Sequence, residues 1–225
     1  MNPIKVFVES GEKRVFTGGL DWPGWCRSAR DEAGALQSLL DYGPRYARVL
    51  MGKDVEFQAP AAVSEFSVAE RLTGNTSTDF GAPGIVPAAD QEPLAPAGLE
   101  RLQTILLACW QAFDLAAEAA AGRKLQKGPR GGGRDLTTIV EHTAGADQAY
   151  LSKIGWKYKP GNGQNPAEEL HRTRQAIRDA LEAAGRGELP TQGPRGGALW
   201  PVRYFIRRSA WHVLDHAWEI EDRMV

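Results

Sequence analysis

The hydrophobic pattern at the start of the chain predicts a β-hairpin. Residues 4–9 (IKVFVE) and 13–17 (KRVFT) are short runs rich in β-branched and aromatic residues. Residues 10–12 (SGE) form a turn signal between them, and two such runs around a turn are typical of paired antiparallel strands. The glycine pair at 18–19 breaks the pattern, so the second strand is expected to end before it.

A helix and a further strand are predicted after the hairpin. Apolar residues recur at helical spacing from Asp31 to Tyr46, and either Asp31 or Ser28 is suited to cap this helix. A strand is predicted at 65–71 (EFSVAER). Residues 73–97 are rich in glycine and proline, which is typical of a linker or a surface loop.

The rest of the chain has the pattern of four long helices. Their expected ranges are 98–121, 135–154, 166–184 and 201–223. The first helix carries a broad apolar stripe, and Asp135 is well placed to cap the second. Four helices of this length with an interior stripe favour a bundle.

These elements predict an α+β fold built from two units. The first is a small α/β unit at 1–72, and a linker at 73–97 leads to a four-helix bundle at 98–225. The length of 225 residues suits either one large domain or two small ones. Hydrophobic residues make up 42% of the chain, which is enough for a sizeable core.

Charge and cysteine content narrow the class of protein. Lys and Arg (27) nearly balance Asp and Glu (28), so no nucleic-acid partner is expected. The two cysteines, Cys26 and Cys109, match no zinc or disulfide spacing. The N-terminus lacks a signal-peptide pattern, and no apolar run reaches the roughly 20 residues of a membrane span. A cytoplasmic protein without membrane association is therefore expected. Nucleic-acid binding would need the basic side chains of the first unit on one surface: Lys5, Lys13, Arg14, Arg27 and Arg30.

The histidines carry the clearest chemical signal. His212 and His216 are four residues apart in a stretch without a helix breaker, so they lie on one helix face, one turn apart. Two imidazoles placed in this way can bind one ion, and borderline metals such as zinc accept imidazole nitrogen readily.

The rest of that helix face is polar where a bundle interior is usually apolar. Such a face is either solvated or directed inward for a function, and Trp211, Leu214 and Trp218 flank it. Its members at helical spacing are Phe205, Arg208, Ser209, His212, His216, Glu219 and Arg223.

His142 lies in the middle of the second predicted bundle helix. Small residues on the same face, Gly145, Ala146 and Ala149, are expected to leave space beside its imidazole. A lone histidine there would more often be a hydrogen-bonded core residue, but with His212 and His216 on a facing helix it becomes a third metal ligand. His171 lies in a polar helix and is expected at the surface.

The bundle resembles the DinB-like (YfiT-like) family of metalloproteins. The resemblance rests on the order of the motif: a histidine in the second helix, a long gap, and His-x-x-x-His in the last helix. It implies a four-helix fold that binds one divalent ion, zinc or alternatively nickel, through His142, His212 and His216. Several members resemble S-transferases or isomerases that use a low-molecular-weight thiol such as mycothiol or bacillithiol. The extension before the bundle departs from this pattern.

The first unit resembles the small HicB-like α/β domain. The resemblance rests on the hairpin followed by residues 20–40 (LDWPGWCRSARDEAGALQSLL), which is similar to that family's D-x-P-G-C…EA passage into a helix. An unrelated ββα(β) unit packed on the bundle is the alternative.

Two hypotheses for function follow. The first is a metal-dependent thiol transferase or hydrolase acting on a small molecule. Glu219 would orient an imidazole or carry a proton, Arg208 would bind a carboxylate, and Tyr150 would donate a hydrogen bond; Asp215 is a weaker candidate because it points to the side. The second is a non-catalytic interaction or ligand-binding protein. A homodimer through exposed apolar positions is compatible with either.

A pentapeptide, Gly-Pro-Arg-Gly-Gly, occurs at 128–132 and again at 193–197. Each copy precedes a predicted helix, where an arginine near the N-terminus could meet an anion. The alternative is a pair of solvated connectors.

Overall fold

The N-terminal part of the chain forms a four-stranded mixed sheet. The structure is a computed structural model that describes residues 3–127, 133–161, 165–194 and 196–224. The strands are β1 (Ile4–Ser10), β2 (Val15–Gly19), β3 (Cys26–Ala29) and β4 (Phe66–Thr73), in the order β3-β2-β1-β4. β1 pairs antiparallel with β2 and parallel with β4. The predicted hairpin, which is β1 and β2, and the strand predicted at 65–71, which is β4, are both confirmed. β3 was not predicted.

The glycine pair at 18–19 was expected to end β2 and instead forms its last two residues. Gly18 pairs with Phe7 across the hairpin, and a Cβ at Gly18 would lie 2.7 Å from the Phe7 ring. Glycine is therefore used here because the neighbouring side chain approaches the backbone closely.

The predicted helix from Asp31 to Tyr46 is two helices, α1 (Glu32–Asp41) and α2 (Gly43–Leu50). Of the two predicted candidates, Asp31 and not Ser28 caps α1, by accepting a hydrogen bond from the amide of Gly34 at 2.8 Å. Pro44 lacks an N–H and is suited only to a first turn, so the chain ends α1 and begins α2 around it.

Four long helices follow, and the predicted set is confirmed. They are α4 (Pro96–Ala119), α5 (Leu136–Lys153), α6 (Pro166–Gly185) and α7 (Val202–Arg223). Asp135 caps α5 by accepting from the amide of Thr138. α7 contacts both α4 and α5, and α6 contacts the same two helices from the other side. This ring of contacts is that of a four-helix bundle, so the fold is α+β.

The sheet unit and the bundle share one hydrophobic core. Trp25 and Tyr46 from the first unit belong to the same buried cluster as Phe113 of α4 and Phe205 of α7. The Trp25 indole donates to the carbonyl of Leu39 at 3.0 Å, which satisfies its polar atom inside the cluster. Packing of this kind fixes the position of α7 relative to the sheet.

Residues 73–97 are more ordered than the linker predicted from their composition. They contain α3 (Thr76–Phe80) and a short 3-10 turn at Ala88–Asp90. The buried carboxylate of Asp90 forms a two-bond ion pair with Arg207 of α7, at 2.6 and 2.8 Å. The segment is therefore fastened to the bundle by a buried charge pair, which a glycine and proline count does not predict.

None of the helices in the described parts of the chain combines the length and the apolar character needed to cross a membrane. The first copy of the repeated pentapeptide, at 128–132, and Arg195 of the second copy lie outside the described residues.

Candidate metal site

Two helices of the bundle bring the three predicted histidines together. His142 comes from the middle of α5, while His212 and His216 lie one turn apart on the facing side of α7. The ring centroids are 4.7–5.0 Å apart in all three pairs. His212 and His216 are both buried, so this face of α7 is directed inward and not into solvent.

The ring nitrogens are close enough to bind one metal ion. One nitrogen of each histidine lies within 4.8 Å of the other two. Nε2 of His142 is 3.1 Å from Nε2 of His212. Two nitrogens bound to one zinc at about 2.0–2.1 Å in tetrahedral geometry are roughly 3.4 Å apart, so little movement would be needed. Three imidazoles leave coordination positions open, which distinguishes a catalytic from a closed structural site.

The surroundings favour the neutral imidazoles that metal binding requires. Burial lowers the pKa of His212 well below its ordinary value, and the neighbouring His216 and His142 lower it further. The pKa of His142 is lowered by burial, by His216 and by Arg134. A neutral ring presents a free lone pair, so these two histidines do not have to lose a proton before they bind an ion.

A carboxylate holds the second nitrogen of His216. Oε2 of Glu219 lies 2.8 Å from Nδ1 of His216, and its other oxygen accepts from Arg223 at 2.5 Å. The hydrogen bond to His216 and the charge of Arg223 lower the pKa of Glu219. Arg223 also donates to the carbonyls of Gln126 and Arg134, which ties the end of α7 to the chain before α5. Metal-binding histidines commonly have such a partner, because it fixes the tautomer and the ring orientation.

The three histidines line a cleft of about 710 Å³. One wall comes from the predicted linker, since α3 and the two residues after it face the histidines across the cleft. Phe80, at the end of α3, is 90% exposed, which is unusual for a phenylalanine at the edge of a cleft. The other residues that line the cleft are Arg134, Ala146, Tyr150, Arg208, Trp211 and Asp215.

The cleft has a cationic and aromatic end formed by Arg208 and its neighbours. The Arg208 guanidinium lies 4.6 Å from the centre of the Trp211 ring and 5.5 Å from that of Tyr150. Its Nη1 is buried and has no hydrogen-bond partner among the described residues. Asp215, the acidic residue nearest in sequence, is paired instead with Arg27 at 2.7 Å. An uncompensated cation beside the histidines favours an anionic ligand.

The structure places the predicted site residues as follows. Tyr150 and Arg208 line the cleft, whereas Glu219 lies behind His216 with both oxygens occupied. Of the three small residues of α5, only Ala146 faces the cleft; Gly145 and Ala149 are exposed. His171 is exposed, as predicted.

Sequence reasoning missed the α3 wall of the cleft and the buried Asp147. α3 had a usable signal, because Asn75 and Thr78 form a capping box at its start. Asp147 had none, since an aspartate on a helix of mixed polarity is ordinarily a surface residue.

Comparisons of the chain with models of known protein families, with curated proteins and with solved structures found no match. The DinB-like and HicB-like resemblances therefore remain expectations from sequence motifs. What can be said of function has to come from the three histidines and the cleft that they line.

Proposed function

We propose that this protein is a metal-dependent enzyme of the DinB type that transfers a low-molecular-weight thiol to a small electrophilic anion, or hydrolyses such an anion. The observation that carries the proposal is the set of three histidine nitrogens, within 4.8 Å of one another, at the wall of a cleft of about 710 Å³. A closed structural site would need a fourth protein ligand and no cleft.

His142, His212 and His216 would hold the ion, with zinc the expected metal and nickel the alternative. A divalent ion bound there would supply a Lewis acid that lowers the pKa of a coordinated thiol or water to near neutrality. Glu219 fixes the ring of His216 and leaves no free oxygen of its own, so orientation fits its geometry better than proton transfer.

The lining of the cleft supports an anionic organic substrate. Arg208 lines the cleft and has an unpaired Nη1 among the described residues, and carboxylates bind guanidinium through paired hydrogen bonds. Burial raises the pKa of Tyr150, so its hydroxyl stays protonated and can donate to the substrate. Trp211 and Phe80 provide apolar surface on two sides of the same cleft.

The size of the cleft is sufficient for thiol transfer. Its volume lies in the range of roughly 300–1,000 Å³ that holds a drug-sized ligand, which leaves room for a thiol beside the substrate. In the transfer, the thiol sulfur bonds to the electrophilic carbon while the leaving group departs with its bonding pair. The thiol proton passes to solvent through the open side of the cleft.

Elemental analysis of untagged protein tests this proposal. We expect about one zinc or nickel per chain in the parent, retention in the His171→Ala variant, and loss in the His212→Ala/His216→Ala variant. His171 is the matched control because it is an exposed histidine of the same bundle. A parent protein that binds no metal, even after incubation with excess zinc, would reject the enzyme hypothesis and favour an interaction protein. Stoichiometric metal would justify a screen of thiols with electrophilic carboxylates.

A further inference from the structure

The interior of the bundle contains a chain of buried polar groups with unmet hydrogen-bonding capacity. Neither oxygen of Asp147 on α5 has a partner among the described residues, and the same holds for the Ser209 hydroxyl on α7. Three further buried nitrogens lack a hydrogen-bond partner among the described residues: Nε and Nη2 of Arg174 on α6 and the indole nitrogen of Trp110 on α4. Asp147 and Ser209 are fully buried. Buried polar atoms usually find partners, so a cluster drawn from all four helices calls for an explanation.

These groups are close to one another. Burial raises the pKa of Asp147 to about 7, while the charge of Arg174 and the hydroxyl of Ser209 oppose that rise. Both groups therefore lie near the Asp147 carboxylate, and the Ser209 hydroxyl is close to it without meeting the full geometry of a hydrogen bond. Arg174 directs its Nη1 away, to Asp114 at 2.7 Å, and its guanidinium lies 5.3 Å from the centre of the Trp110 ring.

The cluster reaches the candidate metal site through His212. Nε2 of His212 faces His142, whereas its Nδ1 is buried and has no partner among the described residues. Ser209 precedes His212 by three residues on α7, so their side chains lie on one side of the helix, one turn apart. A serine hydroxyl can donate one hydrogen bond and accept another, so Ser209 has the capacity to serve both Nδ1 of His212 and the carboxylate of Asp147.

His216, the other histidine of α7, has the hydrogen-bond partner at Nδ1 that His212 lacks among the described residues. Nδ1 of His216 is held by the carboxylate of Glu219 at 2.8 Å. Nδ1 of His212 has no partner among the described residues, and the buried unpaired groups that could serve it are the Ser209 hydroxyl and the Asp147 carboxylate. Rotation about one side-chain bond of Ser209 moves its hydroxyl among three staggered positions without moving the backbone.

We propose that Asp147, acting through Ser209, is a positioning residue for His212. Nδ1–H of His212 donates to the Ser209 hydroxyl, which in turn donates to the Asp147 carboxylate. The inference rests on the proposed metal site, because the pair would fix the tautomer that presents Nε2 of His212 to the ion. It also accounts for the burial of Asp147, since an apolar residue would fill the same space without the penalty of desolvation.

The test separates a positioning role from a structural one. Full-length Asp147→Asn and Ser209→Ala proteins would be compared with the parent for zinc affinity, by competition with a chromophoric chelator. The visible spectrum of the cobalt-loaded proteins would report the geometry at the ion. We expect each variant to bind zinc 10–100-fold more weakly and to show an altered cobalt spectrum. The metal-free proteins should unfold at temperatures no lower than the parent.

A double variant and a control sharpen the result. Asp147→Asn/Ser209→Ala should lose little more affinity than the weaker-binding single variant, because the two residues act in series. Asp114→Asn removes the other carboxylate near Arg174 and should leave zinc affinity unchanged.

Two results would overturn the inference while leaving the proposed function intact. One is parental zinc affinity and cobalt spectrum in both single variants. The other is a loss of affinity in Asp147→Asn alone that is matched by reduced stability of its metal-free form. A parent that binds no metal would instead remove the proposed function, and this inference with it.

Discussion

The carboxylate of Glu219 lies 2.8 Å from Nδ1 of His216, one helical turn further along α7. Because Arg223 holds the second oxygen of Glu219, the carboxylate cannot turn away from the imidazole without breaking an ion pair. The orientation of the His216 ring is thus set before any ion arrives.

Removal of this support should weaken metal binding. We expect Glu219→Ala to reduce zinc affinity by about 10–100-fold and Glu219→Gln to reduce it less, since the amide oxygen can still accept from Nδ1–H. Glu221→Ala is the control, because Glu221 lies on the same helix but pairs with Arg45 of α2 and not with a histidine. Chelator competition measures all four proteins. Equal affinity in the parent and Glu219→Ala would show that the ring needs no such support.

Arg208 should determine whether an anion binds in the cleft. Benzoate, which combines a carboxylate with an aromatic ring, is a suitable probe for a guanidinium beside Trp211. We expect isothermal titration of the zinc-loaded protein to show at least about tenfold weaker benzoate binding in Arg208→Met, with Arg208→Lys intermediate because lysine keeps the charge but loses the paired geometry. Uncharged benzamide should bind the parent and Arg208→Met alike. Unchanged benzoate binding in Arg208→Met would contradict this role.

Local sequence rules predicted the elements that local physics determines. Asp135 and Asp31 are helix caps as expected, because a cap depends only on the residues of the first turn. The histidine cluster was predicted because a four-residue spacing fixes two side chains on one face. The third candidate ligand, His142, required the added hypothesis that its helix faces the last one, which the motif supplied.

What could not be predicted depends on contacts between residues far apart in the chain. Residues 73–97 have the composition of a linker, yet Asp90 pairs with Arg207, 117 residues away. The α3 wall of the cleft also has a distant partner, since Thr78 of α3 donates a hydrogen bond to Glu9 of β1, 69 residues away. No periodicity or turn signal reports a partner at such a distance, so the segment was expected as a loop.

Glu9 should control the order of the α3 wall. Its buried carboxylate accepts from the hydroxyl of Thr78 at 2.5 Å and from the amides of Gly84 and Ile85 at 2.8 and 3.1 Å. In Glu9→Gln, the side-chain NH2 would replace one of the two accepting oxygens. It would then face a hydroxyl or amide N–H that needs an acceptor, which should lower the free energy of unfolding by about 1–3 kcal/mol. We expect faster hydrogen exchange at 76–85 with unchanged zinc affinity, because the histidines lie on other elements. Glu12→Gln, on the exposed hairpin turn, is the control. Parental exchange rates in Glu9→Gln would show that the wall is held in another way.

The Asp90–Arg207 pair should matter more to stability than to the metal site. Arg207 also donates to the carbonyls of Gly19 and Leu20, so removal of Asp90 leaves a buried cation with only neutral partners. We expect Asp90→Ala to lower the free energy of unfolding by about 3–5 kcal/mol, measured by chemical denaturation. Asp90→Ala/Arg207→Met should recover part of this loss, since no charge is left unpaired, although two carbonyls lose their donor. A double variant less stable than Asp90→Ala would indicate that Arg207 stabilises the fold mainly through those carbonyls.

Asp147 should give the metal-free protein a distinctive dependence of stability on pH. Burial raises the pKa of this carboxyl from 3.8 to about 7, so between these values the folded state binds a proton that the unfolded state has released. The free energy of unfolding therefore falls as pH rises through this window, by roughly 4 kcal/mol at most, and the penalty is complete above about pH 7.

We expect Asp147→Asn to remove that slope. The variant should be clearly more stable than the parent at pH 8 and differ much less near pH 4.5, in urea titrations of chelator-treated protein. Asp179→Asn, which alters an exposed carboxylate bonded to Gln175 on the same helix, should follow the parent at both pH values. Parallel stability curves for the parent and Asp147→Asn would mean that the Asp147 carboxyl titrates in the folded protein as it does in the unfolded chain.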